Sequence, residues 1–295
     1  MLHPFNFDNL LTQIPQLKSV NANIDTISTP NPKDSADMHP SDWQFLGQLI
    51  FDNYKKYNGF VVLHGTDTMS YTSSALSFMF ENLTKPIIFT GSQLPVGDIR
   101  TDALENVLTA IQIALLENKG KPVITEVGLF FDNKLFRANR SVKVSSNQFQ
   151  AFDSPNYPCL ITSGVSLDVN FSVLLNCDFS KPTIFNSDLN SDVFVLKLHP
   201  GINQKMFNSL CSMVSFEILI LESYGSGTVF TAEWFLESVL KLKECKKNVI
   251  NCTQCVQGGV EQGLYESSEV LKEAGVLNSR AVSYTHLTLP TIPLV

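Results

Sequence analysis

The run Gly59-Phe60-Val61-Val62-Leu63-His64-Gly65-Thr66-Asp67-Thr68-Met69 decides how this chain is read. Four apolar residues, Phe60 to Leu63, stop at a polar stretch containing one glycine, and a helical pattern follows from Ser70. A short apolar run bounded in this way reads as a buried strand, with a tight loop and a helix after it. In a parallel α/β sheet, ligands sit in the crevice at the carboxyl ends of the strands, so residues 64–68 are site candidates by topology alone.

Upstream of this stretch, residues 6–13 have helical spacing, and nothing in residues 14–33 builds a strong strand. The small polar cluster at 34–38 leads to Ser41 or Asp42 as the cap of a helix ending near Tyr57, with Trp43, Phe45, Leu46, Leu49, Ile50 and Tyr54 on its apolar face. Downstream, the pattern predicts a helix at 71–83, a buried strand at 86–89 with a loop at 90–95, and a long helix at 98–117. An apolar run at 122–131 then meets a hairpin turn at 132–134. Arg137, Arg140 and Lys143 follow, and cations scattered like this are expected to be solvated. Residues 152–191 lose their period and collect prolines, as a connector does. A second alternation then begins, with strands at 193–198, 216–221 and 248–251 and helices near Met206, at 233–242 and at 267–273.

Strands alternating with helices predict an α/β protein. Its 295 residues predict two domains, each a mainly parallel sheet flanked by helices. The boundaries expected are 1–166, a linker at 167–191, a smaller domain at 192–282, and a tail at 283–295 that does not continue the pattern and is expected to be non-native.

The composition, 44% hydrophobic and 17% charged, is that of a globular chain. A net charge of −7 leaves no electrostatic footprint for nucleic acid or an anionic membrane, so small molecules or further copies of the chain are the expected partners. Six scattered cysteines predict reduced thiols, and Cys252-Thr-Gln-Cys255 has no second pair to complete a zinc site, which leaves two thiols at a buried strand end. No apolar run approaches the ~20 residues of a membrane span, and the first residues lack a secretory pattern, so a cytoplasmic location is expected.

Thr66 and Asp67 on a strand-to-helix turn suggest acyl-transfer chemistry. A threonine hydroxyl needs a base, which Lys143 or Asp67 could supply, and amides at a helix start stabilise an oxyanion. Asp67 could instead accept the α-ammonium of an amino acid, with Ser35 and its neighbouring amides taking the α-carboxylate. Capping roles for Thr66 and Asp67 and a surface lysine stay open on spacing alone.

The motif G-x-V-x-x-H-G-T-D-T-M closely resembles a signature of the bacterial-type L-asparaginase family. Asp34-Ser-Ala-Asp-Met38, Thr90-Gly-Ser-Gln-Leu-Pro95, Leu135-Phe-Arg-Ala-Asn-Arg140 with Lys143, Phe152-Asp-Ser-Pro-Asn156, Ser223-Tyr-Gly-Ser-Gly227 and Thr253-Gln-Cys255 resemble its cytoplasmic type I branch, over about residues 10–282. The resemblance implies hydrolysis of L-asparagine, with L-glutamine as a second amide, to the acid and ammonia through an acyl-enzyme. It implies no metal or organic cofactor, and a homodimer or a dimer of dimers. It makes Thr66 a catalytic threonine, Lys143 its proton partner and Asp67 the ammonium ligand, with Asp34, Ser35, Gly65 and Ser92 as further substrate-binding residues. The family's opening strand and T-G-G-T-I loop, which carries the usual nucleophile, are not found in this sequence. The chain is therefore expected to be a fragment shortened at both ends, with little activity of its own. Two other readings are the glutaminase-like subunit of an archaeal tRNA amidotransferase and a non-catalytic amino-acid-binding α/β module.

Overall fold

A computed structural model describes residues 14–29, 32–213, 215–261 and 266–279; the expected helix at 6–13 and the tail at 283–295 lie outside them. The chain divides into two compact units, residues 1–188 and 189–295.

In the first unit, helix α1 (Pro40–Asn53) precedes strand β1 (Phe60–Leu63), helix α2 (Met69–Met79), strand β2 (Ile87–Thr90) and helix α3 (Ala103–Ala114). Strands β3 (Val127–Phe131), β4 (Lys134–Arg137), β5 (Val142–Lys143), β6 (Phe152–Asp153), β7 (Ile161–Ser163) and β8 (Leu167–Val169) follow. The main sheet runs β1-β2-β3-β4-β7-β8, parallel from β1 to β3 and antiparallel beyond. Helix α3 buries Ala110 and Ile113 with Ile88 and Phe130 in one cluster and Val107 and Ile111 with Ile14 and Leu17 in another. Each large apolar side chain removed from water contributes ~1.5 to 3 kcal/mol, which fixes the helix to the sheet.

Local chemistry moves several boundaries. Helix α1 starts at Pro40 with His39 as its cap rather than Ser41 or Asp42, because proline suits the first helical turn and Asp42 Oδ2 accepts from the His39 amide at 2.8 Å. Helix α3 starts at Ala103, five residues later than its spacing predicts, because the Asp102 carboxylate is turned back onto the amides of Gln93 and Leu94. The β3–β4 turn is a two-residue loop with Asp132 at φ 44° and Asn133 at φ 65°, the left-handed pair that matches hairpin twist. The stretch 167–191 contains the edge strand β8 and a two-residue strand, Ile184–Phe185, paired with Phe80–Glu81.

The second unit is a parallel four-stranded sheet of β9 (Val193–Lys197), β10 (Ile218–Ser223), β11 (Asn248–Thr253) and β12 (Leu277–Asn278). Alternation along β10 sends Leu219 and Leu221 into a core with Phe207 of α4 (Gln204–Met213), Phe235 and Val239 of α5 (Glu233–Glu244) and Leu271 of α6 (Glu266–Glu273). Ile218, Ile220, Ile250 and Cys252 form a separate cluster on the other face. The two thiols of the Cys-x-x-Cys run part company, since Cys252 is buried on β11 and Cys255, beyond the strand end, is exposed. Burial, with the Glu222 carboxylate adding to it, pushes the Cys252 thiol up to about 12.

Candidate active site

Strands β1 and β2 end side by side, and their pairing continues one step further, with the His64 amide donating to the Thr90 carbonyl at 2.9 Å. Gly91 makes this approach: a Cβ there would lie 2.3 Å from the His64 carbonyl oxygen, so no larger residue fits without parting the strands. His64 Nδ1 lies 2.7 Å from the Gly65 carbonyl, which can only accept, so Nδ1 carries the proton. Burial holds the imidazole below its ordinary pKa, against a smaller opposite pull from that carbonyl. The result is a neutral side chain bracing the turn.

Thr66, Asp67 and Lys143 meet just beyond this turn. Lys143 Nζ, at the end of β5, donates to Thr66 Oγ1 at 2.8 Å and to Asp67 Oδ1 at 2.6 Å. The lysine is largely covered, with 17% of its side chain exposed, whereas 66% of Asp67 is open. One ammonium therefore bridges a hydroxyl and a carboxylate that a ligand can reach. The pairing β5–β6 sets the lysine in place, as Lys143 is opposite Phe152.

The turn at 34–38 closes a second side. Asp34 is the N-cap of a short 3₁₀ turn, Ser35–Asp37, and accepts from the Ala36 amide at 2.9 Å. Ser35 is buried, and its carbonyl accepts from Thr68 Oγ1 at 2.6 Å. A Cβ on Gly65 would stand 2.7 Å from Ser35 Oγ, so glycine is what lets this turn lie against the β1 loop. Thr66, Asp67, Lys143, Ser35 and Gly65 are thus brought together, with Asp34 exposed beside Ser35. Ser92 is half-buried in the loop after β2.

Arg137 is a correction. Expected on a solvated face, it is buried, with its Nε 2.5 Å from Glu126 Oε2 and its Nη2 donating to the Val173 carbonyl at 2.7 Å. The residues that sequence reasoning did not single out are Gln93, Asp102 and Asn106. Thr66 Oγ1 donates to Gln93 Oε1 at 3.2 Å, and Asn106 Nδ2 ties Asp102 to the Gly91 carbonyl. Their sequence signal is Gln93's place in the loop after a buried strand, within the Thr90–Pro95 run that shares in the family resemblance. Among the described residues, no three His, Cys, Asp or Glu side chains are placed to hold a metal ion, and no helix is long and apolar enough to cross a membrane.

Comparison with known proteins shows that the family model for the N-terminal asparaginase domain matches residues 1–173, and that for the glutaminase/asparaginase C-terminal domain matches 192–288. The chain belongs to the asparaginase family. It is 38% identical over 244 residues to L-asparaginase 1 of Escherichia coli K12, a match covering 83% of this chain and 70% of that one. It is also 38% identical over 245 residues to the mouse 60 kDa lysophospholipase, covering 83% of this chain and 42% of that longer protein. Among solved structures, L-asparaginase I from Vibrio cholerae matches with a TM-score of 0.84 at 37% identity, over 95% of this chain and 83% of that one. The two-domain α/β architecture of the family is the one described above.

Proposed function

We propose that this chain is built to bind L-asparagine and to take part in its hydrolysis to L-aspartate and ammonia through a threonine acyl-enzyme, with L-glutamine as a second amide. The observation that supports the reading is the single ammonium of Lys143 bonded to both Thr66 and Asp67, beside the buried Ser35. Asp67 accepts the substrate α-ammonium, Ser35 and the amides around it take the α-carboxylate, and Asp34, Gly65 and Ser92 complete the pocket. Thr66 and Lys143 exchange the proton that the chemistry requires. The reading needs no metal or organic cofactor, and the acting form is a cytoplasmic homodimer or dimer of dimers.

The family resemblance assigns the primary nucleophile to a T-G-G-T-I loop that these 295 residues do not contain. The chain by itself is therefore expected to bind the amino acid and turn it over far below ordinary enzyme rates of ~1 to 10³ per second, since losing one member of a catalytic unit costs orders of magnitude. Coupled detection of ammonia from L-asparagine, beside calorimetric titration with L-aspartate, tests both parts. Binding without turnover is the expected result. Ordinary rates would refute the missing-nucleophile reading, and no binding would refute the site.

A further inference from the structure

We infer that Gln93 is a positioning residue that fixes the direction of the Thr66 hydroxyl relative to Lys143. The inference rests on the reading of Thr66 and Lys143 as the reacting pair.

An ammonium only donates, so the contact between Lys143 Nζ and Thr66 Oγ1 uses a lone pair of the hydroxyl. The hydroxyl's single hydrogen must then go elsewhere, and Gln93 Oε1 lies 3.2 Å away to take it. The amide cannot be turned round. Gln93 Nε2 lies 3.0 Å from the Gln148 carbonyl, which accepts only, so the NH₂ group faces Gln148 and the oxygen faces Thr66.

Gln93 is itself held. Its backbone amide lies 3.0 Å from each Asp102 carboxylate oxygen, and the Leu94 amide lies 3.1 Å from one of them. Asn106 Nδ2 binds both that carboxylate, at 3.1 Å, and the Gly91 carbonyl, at 3.0 Å. One side chain, anchored at its main chain and at both ends of its amide, thus joins three segments: the β1 loop with Thr66, the β2 loop, and the turn after β5 that follows Lys143. A second contact, the Arg100 guanidinium 5.9 Å from the Phe149 ring centre, links the last two. Threonine has staggered alternatives at χ1, and only the one that places Oγ1 between Lys143 Nζ and Gln93 Oε1 makes both bonds, so the Gln93 acceptor helps to select it.

The test uses the full chain with methyl-labelled threonine, reading the Thr66 methyl couplings that report χ1, with the signal assigned by its loss in T66V. The wild type should show one rotamer. Gln93→Met, similar in shape and without the acceptor, should average the couplings and weaken L-aspartate binding about tenfold, the scale of one hydrogen bond. Gln93→Glu keeps the acceptor for Thr66 while losing the donor to Gln148, so it should average the couplings less than Gln93→Met does, which also guards against a methionine variant that does not fold. Couplings that stay single in Gln93→Met, or that average equally in both variants, would overturn the inference. Failure of L-aspartate to shift the wild-type Thr66 signal would instead count against the functional reading, and the couplings would still decide the role of Gln93.

Discussion

Arg137 and Lys143 come from the same short run of sequence, six residues apart, and each ends on a carboxylate, yet they do opposite work. The guanidinium of Arg137 and its partner Glu126 are 11% and 4% exposed, and every contact they make is internal: Glu126 also accepts from the Leu175 amide, and Arg137 lies over the Tyr157 ring. Lys143 is also largely covered, at 17%, but its partner Asp67 is 66% exposed and its other contact is a hydroxyl. Two ion pairs of similar length therefore differ in what they leave available. The first is closed and serves the fold; the second ends on groups that a ligand can share.

The difference can be broken experimentally, beginning with the largest effect. Arg137→Met strands a buried carboxylate and should cost ~3 to 5 kcal/mol in urea unfolding, while the double variant with Glu126→Leu should recover most of the loss. A single-variant cost below about 1 kcal/mol would erase the distinction. Gly91→Ala should cost ~1 to 3 kcal/mol by the same measurement, because the added methyl meets the His64 carbonyl. Lys143→Met should change stability by less than about 1 kcal/mol, as expected for a pair with one partner in water, and should still weaken L-aspartate binding.

The smallest effect is on pH. The pKa of His64 lies below its ordinary 6.5 in the folded chain because burial disfavours the charge. Its contribution is complete above ~6.5 and is lost as pH falls through the depressed folded value, with a slope no steeper than about 1.4 kcal/mol per pH unit. Urea midpoints between pH 7.5 and 5 should fall in the wild type and hold steadier in His64→Gln. Glu222 has the opposite sign: burial raises its carboxyl, against a pull from Lys197, so its neutral form is favoured at low pH and that contribution fades as pH rises. Glu222→Gln should therefore be more stable than wild type at pH 7.

The strand–loop–helix at 60–79 was legible because its apolar run, glycine and helical period agree, and the alternation of strands and helices gave the α/β class. What was not legible depends on partners distant in sequence. Arg137 reads as solvated until the β3–β4 hairpin brings Glu126, eleven positions away, beside it. Asp102 reads as an ordinary helix residue until its carboxylate is seen to hold the Gln93 amide. The strand ends of the second unit carry as many polar residues as β1 does, but these turn inward. Ser223 Oγ, Asn251 Nδ2 and Gln254 Nε2 all donate to backbone carbonyls, of Cys252, Gly227 and Leu198. At the end of β1, by contrast, Thr66 and Asp67 bond to side chains, and Asp67 stays open to a ligand.

The most direct test of the account is calorimetric titration of L-aspartate into the wild-type chain and into Asp67→Asn. A hydrogen bond to a charged group contributes ~1.5 to 3 kcal/mol, so the variant should bind ~10 to 150 times more weakly with its unfolding midpoint unchanged. Equal affinity in the two proteins would contradict the assignment of Asp67 to the ligand ammonium, and with it the site.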